Sequence, residues 1–165
     1  MKFSMKKPPE MQYIEKKIDR EIRQYLSVKI AAALQEFHKS LLDTPVYTGR
    51  TLISYRWSIG SPIEDRRAAV KNPALPGKTS ELGLGNEPRR AANQSVIDIE
   101  FKQMVSVLVR DKNPYQKFYL RNNMPNFDDI EYGNYSGKSR TPPGGMTRRG
   151  EAKLKQIIRG IEKVG

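Results

Sequence analysis

Between Tyr13 and Leu41 the apolar residues Ile14, Ile18, Ile22, Leu26, Ile30, Ala33, Phe37 and Leu41 recur at three- and four-residue steps. That period predicts one stripe along a helix of about seven turns. Glu15, Lys16, Lys17, Asp19, Arg20, Glu21 and Arg23 fall between the stripe positions, giving a mixed-charge face suited to water or to a partner helix. The helix is expected to stop near Leu42, because Asp43-Thr44-Pro45 brings in a residue that lacks a backbone donor and restricts its predecessor. A chain of 165 residues falls within the size of one domain. Residues 1–12, with Pro8-Pro9 and little apolar content, are expected to form a flexible arm, leaving 13–165 as a single domain.

Beyond the helix the pattern changes. Gly49 permits a turn, and from Thr51 to Gly60 the residues Ile53, Tyr55, Trp57 and Ile59 alternate with Leu52, Ser54, Arg56 and Ser58. This predicts a strand whose Ile53, Tyr55, Trp57 and Ile59 form a core face beneath the helix, although its first residues could wind as a short helix. Ser61 to Pro88 carries too many prolines and glycines for a long regular element. Arg89 to Met104 reads as helix through Ala91, Ala92 and Val96, or as strand through the alternation of Val96 to Phe101; both readings stay open. Val105–Arg110 is rich in β-formers and Gln116–Arg121 alternates, which predicts a hairpin or adjacent strands through Asp111–Pro114. Asn122–Gly145 is again turn-rich, and Ala152, Leu154, Ile157, Ile158, Ile161 and Val164 predict a C-terminal amphipathic helix from about Glu151. The result is an α+β chain: a long N-terminal helix on a small, mainly antiparallel sheet, long loops, and a C-terminal helix. The two turn-rich loops are expected to carry contacts with neighbours, since they hold little core material.

Several chemistries find no residues to support them. With no cysteine there is no disulfide, thiolate metal site or cysteine nucleophile. His38 is the sole histidine and lies beside Phe37 on the helix, which suits packing better than catalysis. Asp128, Asp129 and Glu131 could hold a cation or act as acid and base, but a polar loop or a contact with a neighbour's basic residues explains them as well. No phosphate-binding glycine motif is present, so neither enzyme nor cofactor is expected. No run approaches the roughly 20 apolar residues of a membrane span, and the basic N-terminus lacks the apolar region of a secretory signal, which predicts a protein kept in the cytoplasm that makes it.

The net charge of +12 favours contact with polyanions or acidic protein faces. Basic residues are densest near the C-terminus, at Lys138, Arg140, Arg148, Arg149, Lys153, Lys155, Arg159 and Lys163. A solvated helix face, a surface near DNA and an acidic neighbour all fit that cluster. Aromatic and basic residues interleave from Tyr115 to Arg121, as in a single-strand binding platform, and alternation along a half-buried strand gives the same spacing.

Three ordered segments carry a more specific pattern. Asp43-Thr44-Pro45-Val46-Tyr47-Thr48-Gly49-Arg50 follows the long helix and leads to Ser54-Tyr55-Arg56-Trp57-Ser58-Ile59-Gly60; Asn122-Asn123-Met124-Pro125 precedes Ile130-Glu131-Tyr132-Gly133 and Tyr135-Ser136; and Thr141-Pro142-Pro143-Gly144-Gly145-Met146 closes the run. Together they resemble the tail-completion and minor tail proteins of long-tailed bacteriophages, with Tyr47 where that family usually has an acidic residue. The resemblance implies a structural virion subunit that closes into a ring of about six copies at the head-proximal end of the tail. Its partners would be further copies of itself, a tail tube or tail terminator protein, and a head connector or stopper, with passing DNA touched at most weakly and no membrane. Thr48, Gly49, Arg50, Asp128, Asp129, Glu131, Tyr132, Gly133, Arg148, Arg149 and Lys155 are the expected interface residues. The alternative is a basic nucleic-acid-binding domain.

Overall fold

The computed structural model describes residues 7–42, 44, 50–67, 87–125, 127–132 and 145–162, without the side chains of 50, 87–89, 161 and 162. In chain order the elements are α1 (Pro9–Leu41), α2 (Arg50–Ile53), β1 (Tyr55–Ile59), α3 (Glu87–Asp111), β2 (Phe118–Asn122), α4 (Phe127–Tyr132) and α5 (Thr147–Glu162). The architecture is α+β, with a long N-terminal helix, a two-stranded antiparallel sheet and a C-terminal helix.

The first helix starts four residues before the periodic run does. Proline at its first position has the backbone angle a helix needs and lacks only a donor that would be unpaired there, so residues 9–12 join the helix and the expected arm shrinks. At the other end the Thr44 hydroxyl donates to the Leu41 carbonyl over 2.5 Å, and the Arg90 guanidinium of α3 donates to the carbonyls of Leu42 and Thr44. A cation placed on the last carbonyls of a helix also meets the negative end of its dipole.

Trp57 pairs with Leu120 and Tyr55 with Asn122 across the sheet. The alternation expected for β1 holds from Tyr55 onward, with Tyr55 and Trp57 buried and Ile59 partly so. Ile53 is buried from α2 rather than from the strand. Trp57 lies edge-on to Phe37 of α1, with centroids 5.7 Å apart, and 5.2 Å from Phe101 of α3. The core is thus a sheet roofed by α1 and α3, closed by Leu34, Leu41, Leu52, Ile97, Met104 and Leu108.

Of the two open readings of Arg89–Met104 the helix holds, and one expectation is corrected: Val105–Arg110, expected to be a strand, belongs to the same helix. Ile97, Phe101, Met104 and Leu108 follow one another at steps of four, three and four and are all buried, so a single helical face supplies what the β-formers nearby seemed to promise to a strand. β2 therefore pairs with β1, sixty residues upstream, instead of with its sequence neighbour. Most of the Ser61–Pro88 loop, and residues 133–144 of the second loop, lie outside the described residues; Phe127–Tyr132 within the latter is a short helix.

The eight positions read as one stripe of α1 do not share a face. Each four-residue step advances about 40° around a helix, so Ile14 to Ile30 walks through about 160°. Ala33 and Leu41 are buried and Leu26, Ile30 and Phe37 half-buried, whereas Ile14, Ile18 and Ile22 are exposed. The helix carries two apolar faces pointing in different directions.

Candidate interaction surface

The uncovered face belongs to the first half of α1. Met11, Ile14, Ile18, Ile22 and Tyr25 are each between 49% and 54% exposed, the level of a side chain on a helix with nothing beside it. The body reaches back along α1 as far as residues 23–24, where Arg23 lies over the Tyr115 ring at 5.3 Å and Lys112 Nζ donates to Gln24 Oε1 over 3.0 Å. Both residues sit more than a quarter turn from the line through Ile18. The stripe is flanked by charges already paired along the helix: Lys7 with Glu15 at 2.5 Å and Arg23 with Asp19 at 2.7 Å. Met11 and Tyr25 were missed as members of this face. The prolines before Met11 suggested an arm, and Tyr25 is masked by adjacent Leu26, which the four-residue steps select instead.

The acids and bases near α5 are arranged differently from a free polar loop. Glu131, expected at an interface, is only 3% exposed. One of its carboxylate oxygens accepts the backbone N–H groups of Met146 (3.0 Å) and Thr147 (3.3 Å), and the other that of Arg148 (3.0 Å). It caps α5 from outside the helix, answering three donors that the first turn leaves unpaired and placing a negative charge at the positive end of the dipole. Gly145, with φ +71°, brings the chain against that carboxylate, where a Cβ would overlap it. Arg148 donates to the Glu131 carbonyl and stacks over Tyr132 at 4.6 Å, and Arg149 donates to the Gly145 carbonyl. These two arginines and Glu131 hold the α4–α5 junction together rather than facing outward as a set. Asp128, Asp129 and Tyr132 are exposed on α4, and Lys155 is exposed on α5, paired with Glu151 at 2.6 Å. Thr48, Gly49 and Gly133 lie outside the described residues; Arg50 opens α2.

Helix α5 packs along α1 through Gly150, where a Cβ would overlap the Phe37 ring and the Ser40 hydroxyl. Leu154 and Ile157 are half-buried as the expected stripe requires, while Ile158 turns outward at 40% exposure. Lys153, Lys155 and Arg159 remain exposed.

The interior holds one polar constellation that could be mistaken for a catalytic one. His38 is buried and stacked on Phe101, with ring centroids 4.2 Å apart. The Trp57 indole N–H donates to its Nδ1 over 3.1 Å, so Nε2 carries the proton and donates to Asp98 Oδ1 over 2.7 Å. Burial pushes the imidazole below its ordinary pKa, against the pull of Asp98. With both ring nitrogens engaged, His38 has no lone pair to offer a substrate. Glu100 is similarly spent: it accepts the Trp57 backbone N–H and both Arg56 and Arg67, covering the edge of β1 away from β2. Among the described residues no group of three or more acidic or histidine side chains could hold a metal ion, and no helix is long and apolar enough to cross a membrane. No family model, curated protein or solved structure matches the chain.

Proposed function

We propose that this chain is a non-enzymatic structural subunit of a long-tailed phage virion, a tail-completion or neck component. Several copies, about six, close into a ring at the head-proximal end of the tail and join a tail tube or terminator protein to a head connector or stopper. The observation that carries the reading is the free half of α1: a body with a small core displays five apolar side chains in a row on a helix, a surface that neighbours are needed to cover. The three ordered segments that resemble tail-completion proteins give the assembly its identity. The exposed bases of α5 give it an electrostatic face for an acidic neighbour, felt only within about 8 Å at physiological salt.

Because Arg148 and Arg149 are needed at the α4–α5 junction, the test reverses Lys153, Lys155 and Arg159 to Glu. The variant should fold as the parent does by circular dichroism. In a phage that carries it, tails and filled heads should accumulate unjoined; normal particle yield would remove the assembly role. The net charge of +12 specifically favours the second reading, a basic nucleic-acid-binding domain. Titration against free DNA at increasing salt separates the two: steep loss of a strong affinity belongs to a DNA binder, weak binding throughout to the ring subunit.

A further inference from the structure

The exposed stripe of α1 reads the same in both directions. Met11, Ile14, Ile18, Ile22 and Tyr25 are separated by three, four, four and three residues, a palindrome about Ile18. On a helix these positions lie within about 40° of the line through Ile18, so they form one straight ridge. A two-fold interface requires a surface complementary to itself, and a palindromic ridge meets that requirement when two helices run antiparallel with Ile18 on the axis.

We infer that the N-terminal half of α1 docks on the same segment of a second copy of this chain, in an antiparallel pair. Ile18 meets the partner's Ile18, Ile14 meets the partner's Ile22, and Met11 meets the partner's Tyr25. Charge follows the same symmetry. On one flank Lys17 lies within a turn of the partner's Glu21, and Glu21 of the partner's Lys17; both side chains are exposed. The other flank is acidic, with Glu15 and Asp19, but Lys7 and Arg23 of the same copy already neutralise those carboxylates. Where the body first reaches the helix, at residues 23 and 24, it lies on the side turned away from the ridge; α5 takes the ridge side only farther along, at Phe37 and Ser40, beyond the paired segment. Five layers over about 20 Å of helix make an interface smaller than the roughly 800 Å² per partner of a standard complex, so the pair should dissociate on dilution. A two-fold contact of this kind does not close a rotational ring: it takes up the free face of α1 on which the ring reading also rests, and leaves ring closure to other surfaces such as the exposed bases of α5.

The absence of cysteine makes the test direct. With helix axes roughly 8–10 Å apart, residues facing each other on the axis fall within the roughly 4.4–6.8 Å between Cα atoms that a disulfide spans. The full-length Ile18→Cys variant should give a covalent dimer under mild oxidation. Ile14→Cys and Ile22→Cys should each give no covalent dimer alone and cross-link when mixed. Ile18→Arg should shift the sedimenting species to monomer with unchanged circular dichroism. Failure of Ile18→Cys to cross-link, or self-linking of Ile14→Cys as complete as that of Ile18→Cys, would overturn the antiparallel pair. Particle yield of the α5 charge-reversal variant reports on the ring alone, so the two ideas fail separately.

Discussion

From Ser27 to Leu41 the first helix is walled in by α3, β1 and α5, and its Ala33, Leu34, His38, Ser40 and Leu41 are buried. From Pro9 to Ile22 the same helix, poorer in apolar residues than the embedded half, is covered by nothing among the described residues. The embedded half shows what tertiary packing does with a helical stripe, and the free half shows a stripe that no described residue packs against. Isolated helices of that length are marginal in water. The free half keeps its form because the embedded half has already nucleated it and because Lys7–Glu15 and Asp19–Arg23 pair along it.

The comparison is most strongly tested by removing the residue on which the embedded half rests. Trp57 touches Phe37, His38 and Phe101 and is 2% exposed. Trp57→Ala should cost about 3–5 kcal/mol and abolish cooperative unfolding near room temperature. Denaturant titration checks this, and a variant as stable as the parent would mean that the sheet does not anchor α1.

A smaller loss is expected at the other element that pins the embedded half. Glu131→Ala leaves the N–H groups of Met146, Thr147 and Arg148 without their carboxylate, two of them only partly open to water. The expected cost is about 2–3 kcal/mol, with α5 losing its hydrogen-exchange protection before α1 does. Equal loss in both would show that α5 and the embedded half of α1 unfold as one unit.

The His38 cluster ties this half to pH. Its imidazole is held neutral by burial, below its ordinary pKa of 6.5. Near that pH the unfolded chain therefore binds more protons than the folded one. The neutral form's stabilisation is complete above about pH 6.5 and is lost as pH falls through that value towards the lower folded pKa. Protonation would also set two N–H donors, Nδ1 and the Trp57 indole, against each other. Melting temperature should drop between pH 7.5 and 5.5 with a change in Trp57 fluorescence, and His38→Gln should flatten that slope; an unchanged slope would assign it to the carboxylates instead.

How far the sequence discloses this division depends on how local the signal is. The existence of α1, the burial of Tyr55 and Trp57, and the C-terminal helix follow from short periodic runs. Helix α3 is obscured because β-branched residues occupy its wet side as well as its core side: Ile99 and Val109 are exposed while Ile97 is buried. Glu131 as a cap depends on a contact across fifteen residues of chain, which no local pattern encodes. The free face of α1 was legible in principle. Reading the apolar positions by angle around the helix, rather than by steps of three or four, separates Met11, Ile14, Ile18, Ile22 and Tyr25 from Leu26, Ile30 and Leu41.

The smallest expected effect is the one that isolates the free half. Ile18 is 51% exposed and takes no part in the core cluster, so truncating it opens no cavity there. Alanine is the better helix former by a few tenths of a kcal/mol, because a β-branched side chain loses rotamer freedom against the preceding turn. At protein concentrations low enough to keep the chain monomeric, Ile18→Ala should therefore change folding stability by less than about 0.5 kcal/mol, and in the stabilising direction. The same change at Leu34, buried in the embedded half of the helix at 5% exposure, should cost about 2–5 kcal/mol. A loss above about 1 kcal/mol at Ile18 in the monomer would mean that the ridge folds back onto its own body, and the distinction between the two halves of α1 would collapse with it.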